Sequence, residues 1–237
     1  MDTKIIAHRG ASGLIKFDNS IESFRKAIEI GVDMVEFDVR RTKDKRFIVY
    51  HDPKLDGEAI SSLTYDEIQE ITDEKGYKVP RVEDVILLCK DKIGLDIELK
   101  EEGYEQEVIK LVKGHLDYEE FVMKSFSDKT VNTIHEYDTN IKTGLLLGVE
   151  EPEKKIRTRL SELFPKNRLR KCKANFVSPN HQLLKLMFLK RMNFCDMDVY
   201  VWTVNNASMM RLLFKKGVEG IITDRPDLAV KTKEKVI

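Results

Sequence analysis

Met34-Val35-Glu36-Phe37-Asp38-Val39 and Phe47-Ile48-Val49-Tyr50-His51-Asp52 are two strand-like runs joined only by Arg40 to Arg46. A parallel crossover takes about a dozen residues or more. Residues 47–52 are therefore expected to run antiparallel to 34–39, as a hairpin with its turn near Lys43-Asp44-Lys45. A turn centred near Asp44 sets Asp38 opposite about His51.

With that arm set aside, eight candidate strands remain: 4–8, 34–39, 94–99, 121–126, 143–147, 175–178, 198–204 and 220–223. Amphipathic stretches separate them. Ile21, Phe24, Ala27 and Ile28 recur at helical spacing between Ser20 and Ile30, and Gly31 stops the pattern. Helices are also expected over 82–90, 104–116, 128–137, 153–164, 181–192 and 207–216, the last ended by Gly217. Strands alternating with helices, and no linker, argue for a single α/β domain spanning 1–237. Eight parallel strands favour a closed (β/α)8 TIM barrel, here with an extra β-hairpin arm after the second strand, over an open doubly wound sheet.

The 237 residues carry 41 Lys and Arg against 41 Asp and Glu. A balanced chain has no global field to draw in nucleic acid or an anionic membrane, although a local phosphate site would not show in the total. Cys89, Cys172 and Cys195 are odd in number and widely spaced, which fits reduced thiols rather than a disulfide framework or a zinc site. No apolar leader precedes Lys4-Ile5-Ile6-Ala7, and no segment approaches the ~20 apolar residues of a membrane span. A cytoplasmic location without integral membrane association is expected; a homo-oligomer stays open.

Strand side chains alternate faces. Val35, Phe37 and Val39 share one face, and Glu36 and Asp38 share the other. Leu95, Ile97 and Leu99 oppose Asp96, Glu98 and Lys100 in the same way. Helices cover the outside of a barrel, so the acids should point inward. Buried carboxylates need compensation. Hard oxygen ligands suit magnesium, calcium or manganese better than zinc. The competing reading is a structural ion-pair network with Lys100 and arginines.

His8-Arg9-Gly10 ends the first strand, and His51-Asp52 ends the arm. A lone histidine is usually packing. Two at strand ends beside one acid cluster suit proton exchange near neutrality. Arg9 adds a bidentate oxyanion donor, or else a salt bridge to a barrel carboxylate. His115, His135 and His181 fall in helical segments or helix starts and read as surface or packing residues.

Nine blocks occur in order: His8-Arg9-Gly10-Ala11-Ser12-Gly13, Asn19-Ser20, Glu36-Phe37-Asp38-Val39, Thr42-Lys43-Asp44, His51-Asp52, Glu98-Leu99-Lys100, Ser125-Phe126, Trp202-Thr203-Val204-Asn205 and Gly220-Ile221-Ile222-Thr223-Asp224-Arg225-Pro226. The series resembles that of the glycerophosphodiester phosphodiesterase family over almost the whole chain. The resemblance implies metal-dependent hydrolysis of glycerophosphodiesters to glycerol 3-phosphate and an alcohol. By it, Glu36, Asp38 and Glu98 hold one divalent cation (Mg2+, Ca2+ or Mn2+) and His8 and His51 are the acid/base pair. Arg9 and Lys100 contact the phosphate, and Trp202 walls the glycerol side. The partner is then a small-molecule glycerophosphodiester. The Asp224 block reads as structural, with the aspartate capping or pairing locally.

Two departures bear on the site. The family's usual Pro-Glu-Asn is Phe17-Asp18-Asn19 here, which puts a contact by the shorter Asp18 in doubt. Asp52-Pro53-Lys54-Leu55-Asp56-Gly57 lacks the usual Arg-Thr-Thr after Leu-Asp and runs quickly into Ser61 to Ile71, so a short lid is expected. The competing functions are lysophospholipase D activity, which would want an apolar rim at the mouth that the sequence does not make obvious, and a non-catalytic barrel binding phosphorylated metabolites.

Overall fold

The structure is a computed structural model that describes residues 3–148 and 155–236. Its strands are β1 (Lys4–His8), β2 (Met34–Arg41), β3 (Phe47–Val49), β4 (Lys54–Leu55), β5 (Glu58–Ala59), β6 (Gly94–Leu99), β7 (Phe121–Ser125), β8 (Thr143–Leu147), β9 (Phe176–Pro179), β10 (Asp198–Val201) and β11 (Gly220–Thr223). Strands β1, β2 and β6 to β11 are all parallel, and β1 pairs with both β2 and β11. That double pairing closes an eight-stranded TIM barrel.

The helices are α1 (Ile21–Ile30), α2 (Tyr65–Asp73), α3 (Val82–Cys89), α4 (Glu105–Lys113), α5 (Asp128–Tyr137), α6 (Lys155–Leu163), α7 (Lys166–Cys172), α8 (Phe188–Phe194), α9 (Ala207–Lys216) and α10 (Pro226–Lys233). The first starts where its sequence says it should. Ser20 Oγ accepts from Ser23 N, Ser23 Oγ accepts from Ser20 N, and Gly31 ends the helix at φ 77°. The outer core is one layer between strands and helices. In it Phe24 of α1 meets Phe37 of β2 edge to face, with ring centres 6.1 Å apart.

Inside the barrel, Ile6, Met34, Val122, Phe176, Tyr200 and Ile222 form a buried, mostly apolar floor. Large side chains stand there beside glycines. Phe176 pairs in register with Gly144, and Tyr200 with Gly220. A Cβ on Gly144 would lie 2.1 Å from the Phe176 ring, so the floor is filled only because that neighbour has no side chain. Above the floor, period-2 alternation turns Glu36, Asp38, Asp96, Glu98 and Lys124 inward, all buried.

The hairpin arm is present and antiparallel, but two details of the expected arm change. β3 is three residues long, and its register is Val39 opposite Val49. Tyr50, not His51, therefore stands across from Asp38, and Tyr50 N donates to Asp38 O at 3.0 Å. His51 is held one step further on, where Arg40 Nε and Nη2 donate to its carbonyl at 2.9 and 2.6 Å. Beyond it, β4 and β5 form a short ribbon. A small satellite core of Ile48, Leu55, Ile60, Leu63, Ile68 and Val79 ties that ribbon and α2 to the arm.

Elsewhere the helix expected over 181–192 is broken. His181–Leu183 is one 3-10 turn, and Leu186 and Met187 have φ of 49° and 59° before α8 begins. The seventh barrel strand stops at Val201, and Trp202 keeps only an isolated bridge to Asn180. Helices α7 and α10 had no counterpart in the sequence reading. The helix expected over 153–164 appears as α6, and residues 153 and 154 lie outside the described residues.

Candidate active site

Register decides which inward residues meet. His8 is level with Glu36, Asp38 with Glu98, and Glu98 with Lys124. These rungs lie toward the mouth end of the barrel strands, and β2 runs on past them to Arg41 and the arm. A cavity of about 340 Å3 lies there, lined by His8, Arg9, Glu36, His51, Glu98, Lys100, Lys124, Trp202 and the apolar Phe126, Leu146, Gly148 and Ile222.

One oxygen each of Glu36, Asp38 and Glu98 lies within 4.8 Å of the others, and all three residues are buried. Cations surround them. Lys100 Nζ is 2.7 Å from Glu98 Oε1 and 3.1 Å from Asp38 Oδ1. Arg9 Nε is 3.3 Å from Asp38 Oδ2. Lys124 Nζ is 2.6 Å from Asp96 Oδ2 and 3.5 Å from Glu36 Oε1. The ion-pair network is thus real, but it leaves the acids short of positive charge. Burial pushes Glu98 up to about 7 although Lys100 opposes it, and pushes Asp96 up to about 6 although Lys124 opposes it. Burial would raise Asp38 too, but Lys100 and Arg9 hold it well below the usual carboxylate range. Asn19 Nδ2 donates to Asp38 Oδ2 at 2.9 Å, while Asn19 Oδ1 is buried without a hydrogen-bond partner. A divalent cation among these oxygens would supply the missing charge, so the donor set fits one.

Each histidine has its own aspartate. His8 Nδ1 donates to Asp224 Oδ1 at 2.6 Å, and His8 Nε2 lies 3.9 Å from Glu36 Oε2. Asp224 also accepts from Ser12 Oγ at 2.9 Å and from Asn205 Nδ2 at 2.5 Å. Its role is therefore wider than the local cap or pair expected from sequence. His51 Nδ1 meets Asp52 Oδ1 at 2.7 Å. Burial alone would lower His8, but Glu36 and Asp224 raise it. Burial lowers His51, and Lys100 and Arg9 add to the fall against the pull of Asp38.

Backbone shape sets the loop after β1. Arg9 has φ 52° and Gly10 φ 76°, and a Cβ on Gly10 would fall 2.4 Å from Ser23 Oγ. Only glycine lets the chain turn against α1 here, and the turn points Arg9 N at Glu36 Oε2, 3.1 Å away. Asp18 keeps a contact despite its short side chain, accepting from Arg9 Nη1 at 3.0 Å. Trp202 Nε1 donates to Ser178 O at 2.8 Å, and the ring stands edge-on to Phe126 at 5.7 Å, as an apolar wall. The short ribbon after His51 contributes nothing to the cavity lining.

The sequence profile of the glycerophosphoryl diester phosphodiesterase family matches residues 8–228. The chain belongs to that family. It is accordingly a phosphoric diester hydrolase. A glycerophosphodiester phosphodiesterase of Caldanaerobacter subterraneus subsp. tengcongensis is 30% identical to this family member over 262 residues, covering 99% of both chains. A glycerophosphodiester phosphodiesterase structure from Parabacteroides distasonis is similar at 26% identity with TM-score 0.81, over 99% of this chain and 98% of that one. An Oleispira antarctica phosphodiesterase, solved with the product sn-glycerol-3-phosphate, shares the fold at 19% identity with TM-score 0.82, over 98% of this chain and 97% of that one.

All eight residues singled out from the sequence surround the one mouth: seven line the cavity, and Asp38 lies just behind Glu98 and Lys100. Sequence reasoning missed Lys124, Phe126, Leu146 and Asp224. Strand parity would have found the first two, since Val122, Lys124 and Phe126 share a face. Nothing local could have found Asp224 as the partner of His8.

Proposed function

We propose that residues 1–237 act as one domain that hydrolyses glycerophosphodiesters to glycerol 3-phosphate and an alcohol. The observation that carries this reading is the placing of three convergent buried carboxylates and two aspartate-backed histidines on one cavity. Glu36, Asp38 and Glu98 would hold one hard divalent cation, magnesium, calcium or manganese. When bound, that ion supplies fixed positive charge against the phosphate. Arg9 and Lys100 hold the non-bridging oxygens and cancel the charge that repels a nucleophile. Trp202 covers the glycerol.

The two histidines divide the proton work. His51 takes the proton of the attacking hydroxyl, either the glycerol's own neighbouring hydroxyl or water. His8, fixed by Asp224, gives a proton to the departing alkoxide. In-line displacement requires them on opposite sides of phosphorus. After an internal attack, water opens the cyclic phosphate by the same pair with roles exchanged.

Among the described residues, no helix is long and apolar enough to cross a membrane. The three free cysteines fit a reducing compartment such as the cytoplasm. The deciding experiment is turnover of a panel of glycerophosphodiesters and lysophospholipids before and after exhaustive chelation, with the metals restored one at a time. Loss and recovery of glycerol 3-phosphate release supports the reading, and full activity of a verified metal-free preparation overturns it.

A further inference from the structure

The zero net charge of this chain hides a segregation. Residues 155–195 hold eleven Lys and Arg against a single acid, Glu162, which leaves the remainder with ten more carboxylates than cations. Glu162 does not offset them at the surface. It is buried, accepting from Gly148 N at 2.9 Å and from Arg159 Nη1 at 2.8 Å. Some of the cations are spent within the fold: Arg168 pairs with Asp128, Lys173 with Glu136, and Arg191 donates to Leu163 O. Arg157, Lys166, Lys185 and Lys190 remain exposed on α6, α7, α8 and the turn before it.

The same elements expose apolar side chains. Ile156, Leu160 and Phe164 recur every four residues, as one stripe along α6, and are 80%, 54% and 53% exposed. Leu186, Met187 and Phe194 bracket α8, and Phe194 is 89% exposed. These six are the majority of the ten exposed large hydrophobics among the described residues, so the clustering is not the usual scatter. A shallow depression lined by Phe164, Lys166, Lys190, Arg191 and Phe194 joins the two helices. Arg191 lies over the Phe164 ring at 4.4 Å. Apolar and cationic groups are therefore one surface.

We propose that this α6–α8 face docks on an anionic lipid bilayer. The apolar side chains would enter the headgroup boundary while lysines and arginines meet lipid phosphates. Charge decides between occupants. A symmetric second copy would set the cationic patch against itself. A nucleic acid would satisfy the cations and leave the apolar stripe in water. The face also adjoins the mouth, because Gly148, which lines the cavity, donates its N–H to Glu162 of α6 at 2.9 Å. The interaction rests on the surface alone and does not depend on the reaction assigned to the site.

The test is co-sedimentation of the full chain with vesicles of phosphatidylcholine alone and of phosphatidylcholine with one quarter phosphatidylglycerol. Partition to the mixed vesicles should be at least about tenfold stronger, and should weaken as salt rises. The pair Leu160→Ser and Phe194→Ser should lower it by about tenfold or more, the scale of losing two apolar anchors. The pair Lys166→Glu and Lys190→Glu should lower it by about fivefold or more for each charge removed. All four side chains are exposed and outside the cavity, so circular dichroism and turnover of a water-soluble diester should be unchanged. Absence of binding, equal binding to both vesicles, or binding indifferent to both variant pairs would overturn the proposal. So would concentration-dependent dimerisation that the Phe194→Ser change abolishes, without vesicle binding.

Discussion

His8 Nδ1 and Asp224 Oδ1 are 216 residues apart in the chain and 2.6 Å apart in the fold, across the seam where β11 pairs with β1. Burial would raise the Asp224 carboxyl, but its hydrogen bond to His8 brings it down to about 2, so it is an anion throughout the working range. The contact holds Nδ1 protonated and leaves Nε2 as the nitrogen that exchanges protons. Replacing Asp224 by Asn should lower kcat by about tenfold to a hundredfold, the scale for a lost orienting partner, with KM little changed. An unchanged kcat in a folded variant would show that His8 needs no positioning.

Alanine at His8 or at His51 should each lower the rate by about a hundredfold or more. A leaving group such as nitrophenol needs no proton. It should rescue the His8→Ala variant, because Asp224 and Glu36 favour the protonated ring there. It should leave His51→Ala impaired, because that ring sits among Arg9, Lys100 and Asp38 as a proton acceptor. The reverse pattern of rescue would exchange the two roles.

Cation binding should be visible without catalysis. Magnesium, calcium or manganese at about a hundred times its dissociation constant would stabilise the chain by about 2.7 kcal/mol. For a chain of this size that is a rise in Tm of about 5–10 °C. Differential scanning fluorimetry should show the rise in the native chain and lose it in Asp38→Asn, whose side chain offers no charge to the cluster. An equal rise in both would place the ion elsewhere.

Far from the mouth, Asp138 accepts from Lys113 Nζ at 2.5 Å and Tyr118 Oη at 2.8 Å. Lys113 leads in bringing its carboxyl down to about 2 in the folded chain, below the ~3.9 of an unfolded aspartate. A depressed carboxylate contributes stability above the unfolded value, and that stability is lost as pH falls through the folded one. Asp138→Asn should therefore be less stable than the native chain at pH 7, by no more than about 1 kcal/mol at this half-open site. The two should converge on acidification from about pH 4 to about pH 2. A difference that persists undiminished at the acid end would assign it to packing.

The floor of the barrel offers a packing test. Gly144→Ala would press a methyl group into the Phe176 ring, which also lies 4.6 Å from the Tyr200 ring and has nowhere to move. The cost should be about 1–3 kcal/mol in urea unfolding, with an unchanged m-value.

What the sequence determined by itself was whatever depends on short range. Side-chain parity is a property of a single strand, so the inward acids of β2 and β6 were legible from alternation alone. The seven residues from Arg40 to Arg46 could not hold a crossover, so the arm and the count of eight followed. Capping residues marked α1 and α9 for the same local reason. Tertiary structure decided the rest, because it depends on how distant strands are staggered. Tyr50 rather than His51 faces Asp38 because Val39 opposite Val49 centres the hairpin on Asp44, and from that centre position 38 counts to position 50. Lys124 meets Asp96 only once β6 and β7 pair in register, and Asp224 meets His8 only once β11 closes against β1. The charge balance read as featureless because a sum carries no positions. The acids already lie outside 155–195 along the chain, and folding joined the cations and bare apolar side chains of α6 and α8 into one surface.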